Sequence, residues 1–244
     1  MSREFEVARA IDLPAAPEDV WTAITADPAA WQFPTGMEIP AGAEPPEGAP
    51  ITTWEPPHRL TIRMESPDGT YNALDYGIEA RAGGTALLRY VHSGILADEW
   101  EDQYDAIGAH TDFYLHTLGQ YLEHFNGRGV TYVGQPSSGI EGPEAAGTAE
   151  AMDTLRAALG LAPDAKVGEA VRAQLGDAGT LEGVIDYSTP EFLGVRAGDG
   201  LYRFFGRNHF GGVVGMSAHL FADGVDAAAS EAALKRWLDG VYAS

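Results

Sequence analysis

Hydrophobic and polar positions alternate in four stretches of the first hundred residues. FEVARAIDL sets Phe5, Val7, Arg9, Ile11 and Leu13 on one face of an extended chain, and HRLTIRME does the same with Leu60, Ile62 and Met64. NALDYGIEA follows with Leu74, Tyr76 and Ile78, and GGTALLRYVHSG with Leu88, Tyr90 and His92. A period of two marks a strand buried on one face only. The turn signals PDG and AGG separate the last three stretches, so they predict an antiparallel meander. Between the first strand and the meander, APEDVWTAI places Pro17 at a helix start with acids behind it. The Pro- and Gly-rich text from Phe33 to Pro50 predicts a short strand followed by an exposed loop.

The period then changes. From Asp98 to Gly127, Trp100, Tyr104, Ile107, Thr111, Tyr114, Leu118, Leu122 and Phe125 recur at steps of three and four. That spacing predicts one long helix of roughly 40 Å with a single apolar stripe. Asp98, Glu99, Glu101, Asp102 and Asp105 crowd its start, where they favour the positive end of the helix dipole, and Gly127 suits its stop. Gly108 inside it costs about 1 kcal/mol against alanine, which points to a close neighbour.

Past Gly129 the order of patterns repeats. GVTYVG reads as a strand, AEAMDTLRAALG as a helix, LYRFFGRN and GGVVGMSAHLF as strands, and EAALKRWLDGVYA as a shorter closing helix. TTWEPPHRLTIR aligns with IDYSTPEFLGVR, pairing Trp54 with Tyr187, Pro57 with Pro190, Leu60 with Leu193 and Arg63 with Arg196. This predicts two domains of like architecture, 1–127 and 128–244, the second degenerate. The competing reading makes the second half an α/β cap on the first. Phe204, Phe205, Met216 and Trp237 around a short helix predict that any cavity in the second half is filled.

Composition narrows the function classes. The 244 residues are 45% hydrophobic, enough for two cores. No apolar run reaches 18 residues and the first residues are charged and alternating, so a cytosolic protein with no membrane span and no secretory signal is expected. Zero cysteines exclude disulfides, thiol nucleophiles and thiolate metal sites. A net charge of −21, with Lys166 and Lys235 the only lysines, opposes binding to a phosphate backbone or an anionic lipid surface. The charge itself is explained by solubility. HTDFYLH spaces His110, Asp112 and His116 so that they fall on different helix faces, and no hydrolase, NTPase or dinucleotide fingerprint occurs. No cofactor, metal or catalytic residue is therefore assigned, and His209 and His219 have no identifiable partner.

The first strand and short helix, the Pro-Pro strand start WEPPHRL, the GGT strand ending in VHSG and the long helix, taken together over residues 3 to about 126, resemble the START-like (SRPBCC) superfamily. Within it the pattern is most similar to the family of activators of the ninety-kilodalton heat-shock chaperone's ATPase. The resemblance implies an α+β helix-grip fold, as in the birch-pollen allergen: an antiparallel sheet wrapped around a long C-terminal helix, here in tandem. It also implies an apolar cavity between sheet and helix. Families of this fold include lipid carriers, polyketide cyclases and co-chaperones, so fold does not decide function.

The candidate ligand-binding residues are the polar and aromatic groups on the inward faces: Trp54, Met64, Tyr76, Tyr90 and His92 from the strands, and Trp100, Tyr104, Ile107, His110, Thr111 and Tyr114 from the helix. Plain core packing produces such stripes too. The first reading is a binding protein for a hydrophobic small molecule. The second is a polyketide cyclase or hydrolase-like enzyme using His92 or His110 as a base near neutral pH, although the inward faces offer neither nucleophile nor paired carboxylates. The third is a co-chaperone-like module whose acidic surface meets a protein partner.

Overall fold

The computed structural model describes the backbone of residues 3–96 and 100–243, and side-chain surroundings except at 1–3, 96–104 and 244. Chain contacts divide it into two units, Met1–Trp31 with Gly36–Asn126, and Gln32–Thr35 with Gly127–Ser244. Both are mixed α and β with antiparallel sheets, and the described residues hold four α-helices between them.

The first unit runs β1 (Arg3–Leu13), α1 (Pro17–Thr25), β2 (Ile51–Glu55), β3 (Arg59–Glu65), β4 (Tyr71–Arg81), β5 (Thr85–Leu96) and α2 (Trp100–His124). Its five strands are ordered β1-β5-β4-β3-β2, the first beside the last and the meander between. Alternation sets the faces as the sequence requires. Cross-strand register lines up Leu60, Tyr76, Tyr90 and Arg9 in one row, and Ile62, Leu74, His92 and Val7 in the next. The predicted short strand between Phe33 and Pro50 does not form. Pro34, Pro40, Pro45 and Pro46 remove ladder donors there. Ile39 helps tie the segment down, 6% exposed and with its N–H donating to Thr25 O at 2.8 Å.

Helix α2 departs from a single stripe. Thr111, Leu118, Leu122 and Phe125 are buried as expected, but so is a second row, Phe113, Thr117 and Tyr121, each at 1% exposure or less. At about 1.5–3 kcal/mol per fully buried large apolar side chain, that second row is a major stabilising element. Thr117 supports it by returning its hydroxyl to Phe113 O at 2.9 Å. Gly127, at φ 74°, occupies the left-handed conformation that ends the helix. Gly108 lies beneath the Arg9 guanidinium: a Cβ there would meet Nη2 at 3.7 Å, an ordinary contact. Asp98 and Glu99 lie outside the described residues, as do the side chains of Glu101 and Asp102.

The second unit runs β6 (Thr131–Val133), β7 (Ile140–Glu141), α3 (Ala151–Ala158), β8 (Ala170–Gln174), β9 (Thr180–Ser188), β10 (Phe192–Ala197), β11 (Gly200–Gly206), β12 (Val214–Leu220) and α4 (Ala227–Val241). Its sheet order is β6-β12-β11-β10-β9-β8, with β7 also paired to β12. Again the first strand lies beside the last. TTWEPPHRLTIR and IDYSTPEFLGVR each form a hairpin, β2–β3 and β9–β10, whose partner strands are the second and third back from the closing strand. The aligned residues are not in identical register. Trp54 faces Leu60, whereas Tyr187 faces Gly194 and Leu193 faces Ser188, ahead of a bulge at Gly194/Val195. Helix α4 begins upstream of the expected Glu231, because the Asp226 side chain caps it by accepting from Ala229 N at 3.0 Å.

Phe204, Met216 and Trp237 enter one core cluster with Leu234 and Leu238, with Phe204 and Trp237 ring centroids 6.3 Å apart. The space between this sheet and its closing helix is therefore packed with side chains. Phe205 belongs to the opposite face, since adjacent strand residues point apart. There Arg203 and Asp186 form a two-bond ion pair at 2.8 and 2.9 Å, their side chains 1% and 4% exposed.

Candidate functional site

The inner face of the first sheet is the face that meets α2. The Thr111 hydroxyl donates to the Tyr90 phenol oxygen, and Arg9 forms a two-bond ion pair with Asp112, one bond being Nη2 to Oδ2 at 3.0 Å. These contacts fix β5 and β1 against one turn of the helix, since Thr111 and Asp112 are neighbours. Sequence spacing could not reveal either pairing.

Along β4 and β5 the inner face carries four rings in contact. Tyr76 and Tyr90 lie 5.1 Å apart, Tyr90 and His92 6.4 Å, and His92 meets the edge of Phe5 at 5.0 Å and 78°. Phe5 fits because β5 offers Gly94 opposite it: a Cβ on Gly94 would come within 2.7 Å of the Phe5 ring and 2.6 Å of Tyr71 O. Tyr76 and Tyr90 are 3% and 8% exposed, and burial pushes both phenols above their ordinary pKa. Both hydroxyls stay protonated donors. The Tyr90 oxygen accepts from Thr111, while the Tyr76 hydroxyl makes no hydrogen bond among the described residues.

His92 is the polar centre of this face. Its Nε2 lies 3.1 Å from Asn72 Oδ1, an acceptor, so Nε2 carries the proton and Nδ1 is left as an acceptor. Burial lowers its pKa to about 4. At neutral pH the ring is uncharged, which corrects its expected role as a base poised near pH 7. His110 is not among the groups that touch His92. It donates from Nδ1 to Ala106 O at 2.8 Å on its own helix and lies 6.3 Å from the Tyr114 ring.

The other expected positions divide by depth. Thr111 is buried and Ile107 and Tyr114 are half-buried. Met64 shares the face with Asn72 and Phe5, but at 43% exposure it stands at the open end. Trp54 packs edge-on against Trp21 at 4.8 Å, and its indole Nε1 is buried with no acceptor among the described residues. The side chains of Trp100 and Tyr104 lie outside the described residues. Phe5, Asn72 and Trp21 were missed. Phe5 and Asn72 were legible in the alternation, two positions before Val7 and Leu74. His219, expected to lack a partner, is 1% exposed and stacks edge-on with Tyr132 at 5.3 Å. Among the described residues no group of three or more His, Asp or Glu is arranged to hold a metal ion, and no helix is long and apolar enough to cross a membrane.

No protein-family model matches the chain, and no curated protein matches its sequence. Among solved structures it is similar to protein MLL2253 from Mesorhizobium loti, at 17% identity over 50% of this chain and 99% of that one, with a TM-score of 0.40. It is similar to the Aha1 dimer from Colwellia psychrerythraea at 17% identity over 49% and 96%, TM-score 0.38. DynU16, a protein in the dynemicin biosynthetic locus, spans both halves: 15% identity over 98% of this chain and 96% of that one, TM-score 0.37.

Proposed function

We propose that the first unit is a START-like binding module that holds an apolar or aromatic small molecule between its sheet and α2. The observation that carries this reading is the grouping of neutral His92, with Nδ1 unpartnered among the described residues, with the Tyr76 and Tyr90 hydroxyls on a face whose other polar side chains, Asn72 and Arg9, are already paired. Phe5, Leu74 and Val7 supply the apolar surroundings. A ligand hydroxyl would donate to His92 Nδ1 and a ligand carbonyl would accept from Tyr76, which fixes orientation while the rings supply contact area. A base with a pKa near 4 is weak at pH 7, so the arrangement favours binding over proton abstraction.

The second unit reads as a degenerate START-like domain, dividing the chain into 1–127 and 128–244. In support, its first strand lies beside its last with a meander between, and a helix follows. Its sheet has seven strands against five, and its sheet-to-helix space is filled by Phe204, Met216 and Trp237. The ligand is accordingly placed in the first unit alone, in a cytosolic protein.

Native mass spectrometry of freshly purified chain, compared with the same sample denatured, tests the reading. An added mass that leaves on denaturation is the expected result. A fluorescent apolar probe such as an anilinonaphthalene sulfonate is then titrated into wild type, Tyr76→Phe and His92→Phe. Binding of the probe unaltered by both substitutions, with no added mass, would remove the inner face as the site.

A further inference from the structure

The second unit carries a cleft of its own, outside its core. Helix α3 buries Met152 and Leu155 against the sheet at 1% and 0% exposure, and the next residue, Arg156, sends its side chain across to the β9–β10 turn. There Nη1 donates to Ser188 Oγ at 3.3 Å, and Nη2 donates to Thr189 O and to Phe192 O, the latter at 3.4 Å. The turn is built to receive it. Ser188 Oγ gives its proton to Ala165 O at 2.9 Å, and Thr189 Oγ1 accepts from Phe192 N at 3.1 Å.

Every acceptor that Arg156 meets is neutral. The residue is 2% exposed, yet among the described residues no carboxylate lies within ion-pair distance of it. A guanidinium has five N–H groups, and three of these bonds leave Nε–H and one Nη1–H uncommitted. A buried cation with no carboxylate in contact costs several kcal/mol, of which carbonyl dipoles and the more distant Asp153 and Glu191 return only part. Arg203 shows how this chain otherwise buries an arginine: against Asp186, through two bonds.

This guanidinium, which has no contact ion pair, lines a cleft of about 440 Å³. Met152, Pro163, Val167 and Pro190 give it apolar walls, and Lys166 and His209 stand exposed at its mouth. In a chain with 36 acids against 15 lysines and arginines, this brings a buried arginine and one of only two lysines to one opening. Asp153 and Asp164 also reach the rim, both exposed, where water screens them.

We propose that this cleft is a binding site for a small organic oxyanion, a carboxylate or phosphate ester. Its charged group meets the Arg156 guanidinium and its apolar body lies along Met152, Pro163 and Pro190. Lys166 contributes attraction at the mouth rather than a fixed contact. A forked donor suits a two-oxygen acceptor, and the volume suits a compact molecule.

The test is a titration of the full chain with benzoate and, separately, inorganic phosphate, followed by NMR of 13C-methyl-labelled methionine. The expected result is a saturable shift of the Met152 methyl. Saturation by benzoate alone assigns a carboxylate, and saturation by phosphate alone assigns a phosphate ester. Arg156→Gln is expected to weaken binding at least tenfold, and Lys166→Glu about fivefold. Lys166 is exposed and its ammonium holds no described partner, so Lys166→Glu keeps the fold even where Arg156→Gln loosens α3. The proposal is overturned if neither anion shifts Met152 in a saturable way, or if Lys166→Glu leaves the dissociation constant unchanged.

Discussion

The two sheets place their charges on opposite terms. In the first, the face away from α2 carries Arg59–Asp75 at 2.8 Å and Arg89–Glu79 at 2.7 Å, with side-chain exposures of 55% and 29%, and 57% and 45%. In the second, Arg203–Asp186 pairs at the same distance of 2.8 Å, but at 1% and 4% exposure. Strand burial follows suit: β3 has one fully buried residue, Leu60, among half-buried and exposed ones, while Val214–His219 of β12 are buried at six successive residues. Similar strand order therefore serves two environments. A sheet wet on one face carries ion pairs that contribute little, and a sheet buried on both faces must satisfy every charge it contains.

The sharpest way to break this contrast is a pair of glycine substitutions. Gly194 of β10 sits between Asp186 and Arg203, and a Cβ there would lie 2.2 Å from Asp186 Oδ1 and 2.6 Å from Arg203 Nη1. Gly77 of β4 holds the matching place beside Arg89, where a Cβ would meet the Arg89 Cβ at 3.8 Å. Gly194→Ala is expected to destabilise by about 3–5 kcal/mol, the usual cost of opening a buried pair, and Gly77→Ala by less than about 1 kcal/mol. Urea unfolding of both variants checks the difference. Equal losses would mean that burial of the pair is not what separates the sheets.

The next effect is a pH dependence confined to the first sheet. The folded-state pKa of His92 is lowered to about 4 by burial, below the value of about 6.5 for a free histidine. Between those values the unfolded chain binds a proton that the folded chain refuses, so this group's contribution to stability falls as pH drops from about 6.5 to about 4 and is constant outside that window. His92→Phe removes the titration. Its stability, compared with wild type by urea unfolding at pH 7 and pH 4.5, is expected to fall less on acidification. An identical pH slope in the two proteins would place the ring in water.

How far the sequence disclosed this follows from the same contrast. In the first sheet, alternation made Leu74, Tyr76 and Ile78 legible as one face, and the register confirms Tyr76 beside Tyr90 and Leu74 beside His92. In the second sheet, burial on both faces erased the period. Phe204 and Phe205 looked like members of one core, yet only Phe204 joins Met216 and Trp237. The strand β8, Ala170–Gln174, reads AVRAQ and is too short and small to announce itself. At the candidate site the residue types were readable but their partners were not, because Tyr90–Thr111 and Arg9–Asp112 join elements far apart in the chain. The arginine of the α3 cleft carried no signal in its spacing, since its meaning lies in having no carboxylate in contact although Asp153 and Glu191 stand nearby.

A smaller change sharpens the comparison within the first unit. Tyr90→Phe removes the acceptor of the Thr111 hydroxyl while keeping the ring against Tyr76. The loss of one partly shielded neutral hydrogen bond predicts about 1 kcal/mol of destabilisation. The pairing of Tyr90 with Thr111 is the expected source, so Thr111→Val in the Tyr90→Phe background should cost less than it does in wild type. Additive losses in that cycle would show that sheet and helix are held there by packing alone.

The smallest effect is the complement of the largest. Asp75→Ala breaks an ion pair whose bond length matches that of Asp186 with Arg203, and it also frees the Thr61 hydroxyl that donates to Asp75 at 3.1 Å. Arg59 is more than half exposed, so water replaces the lost partner at once. The expected loss is a few tenths of a kcal/mol, within about 1 kcal/mol at most, and it should shrink further when salt is raised. Asp186→Ala, measured beside it, strands Arg203 at 1% exposure and is expected to cost several times more, with little response to salt. The shortest bond is the same length in the two pairs, so the ratio of these losses reports burial together with the second bond that Arg203 makes to Asp186. A ratio near one would require that solvent reaches the second pair, and the account of the two sheets would then rest on strand order rather than environment.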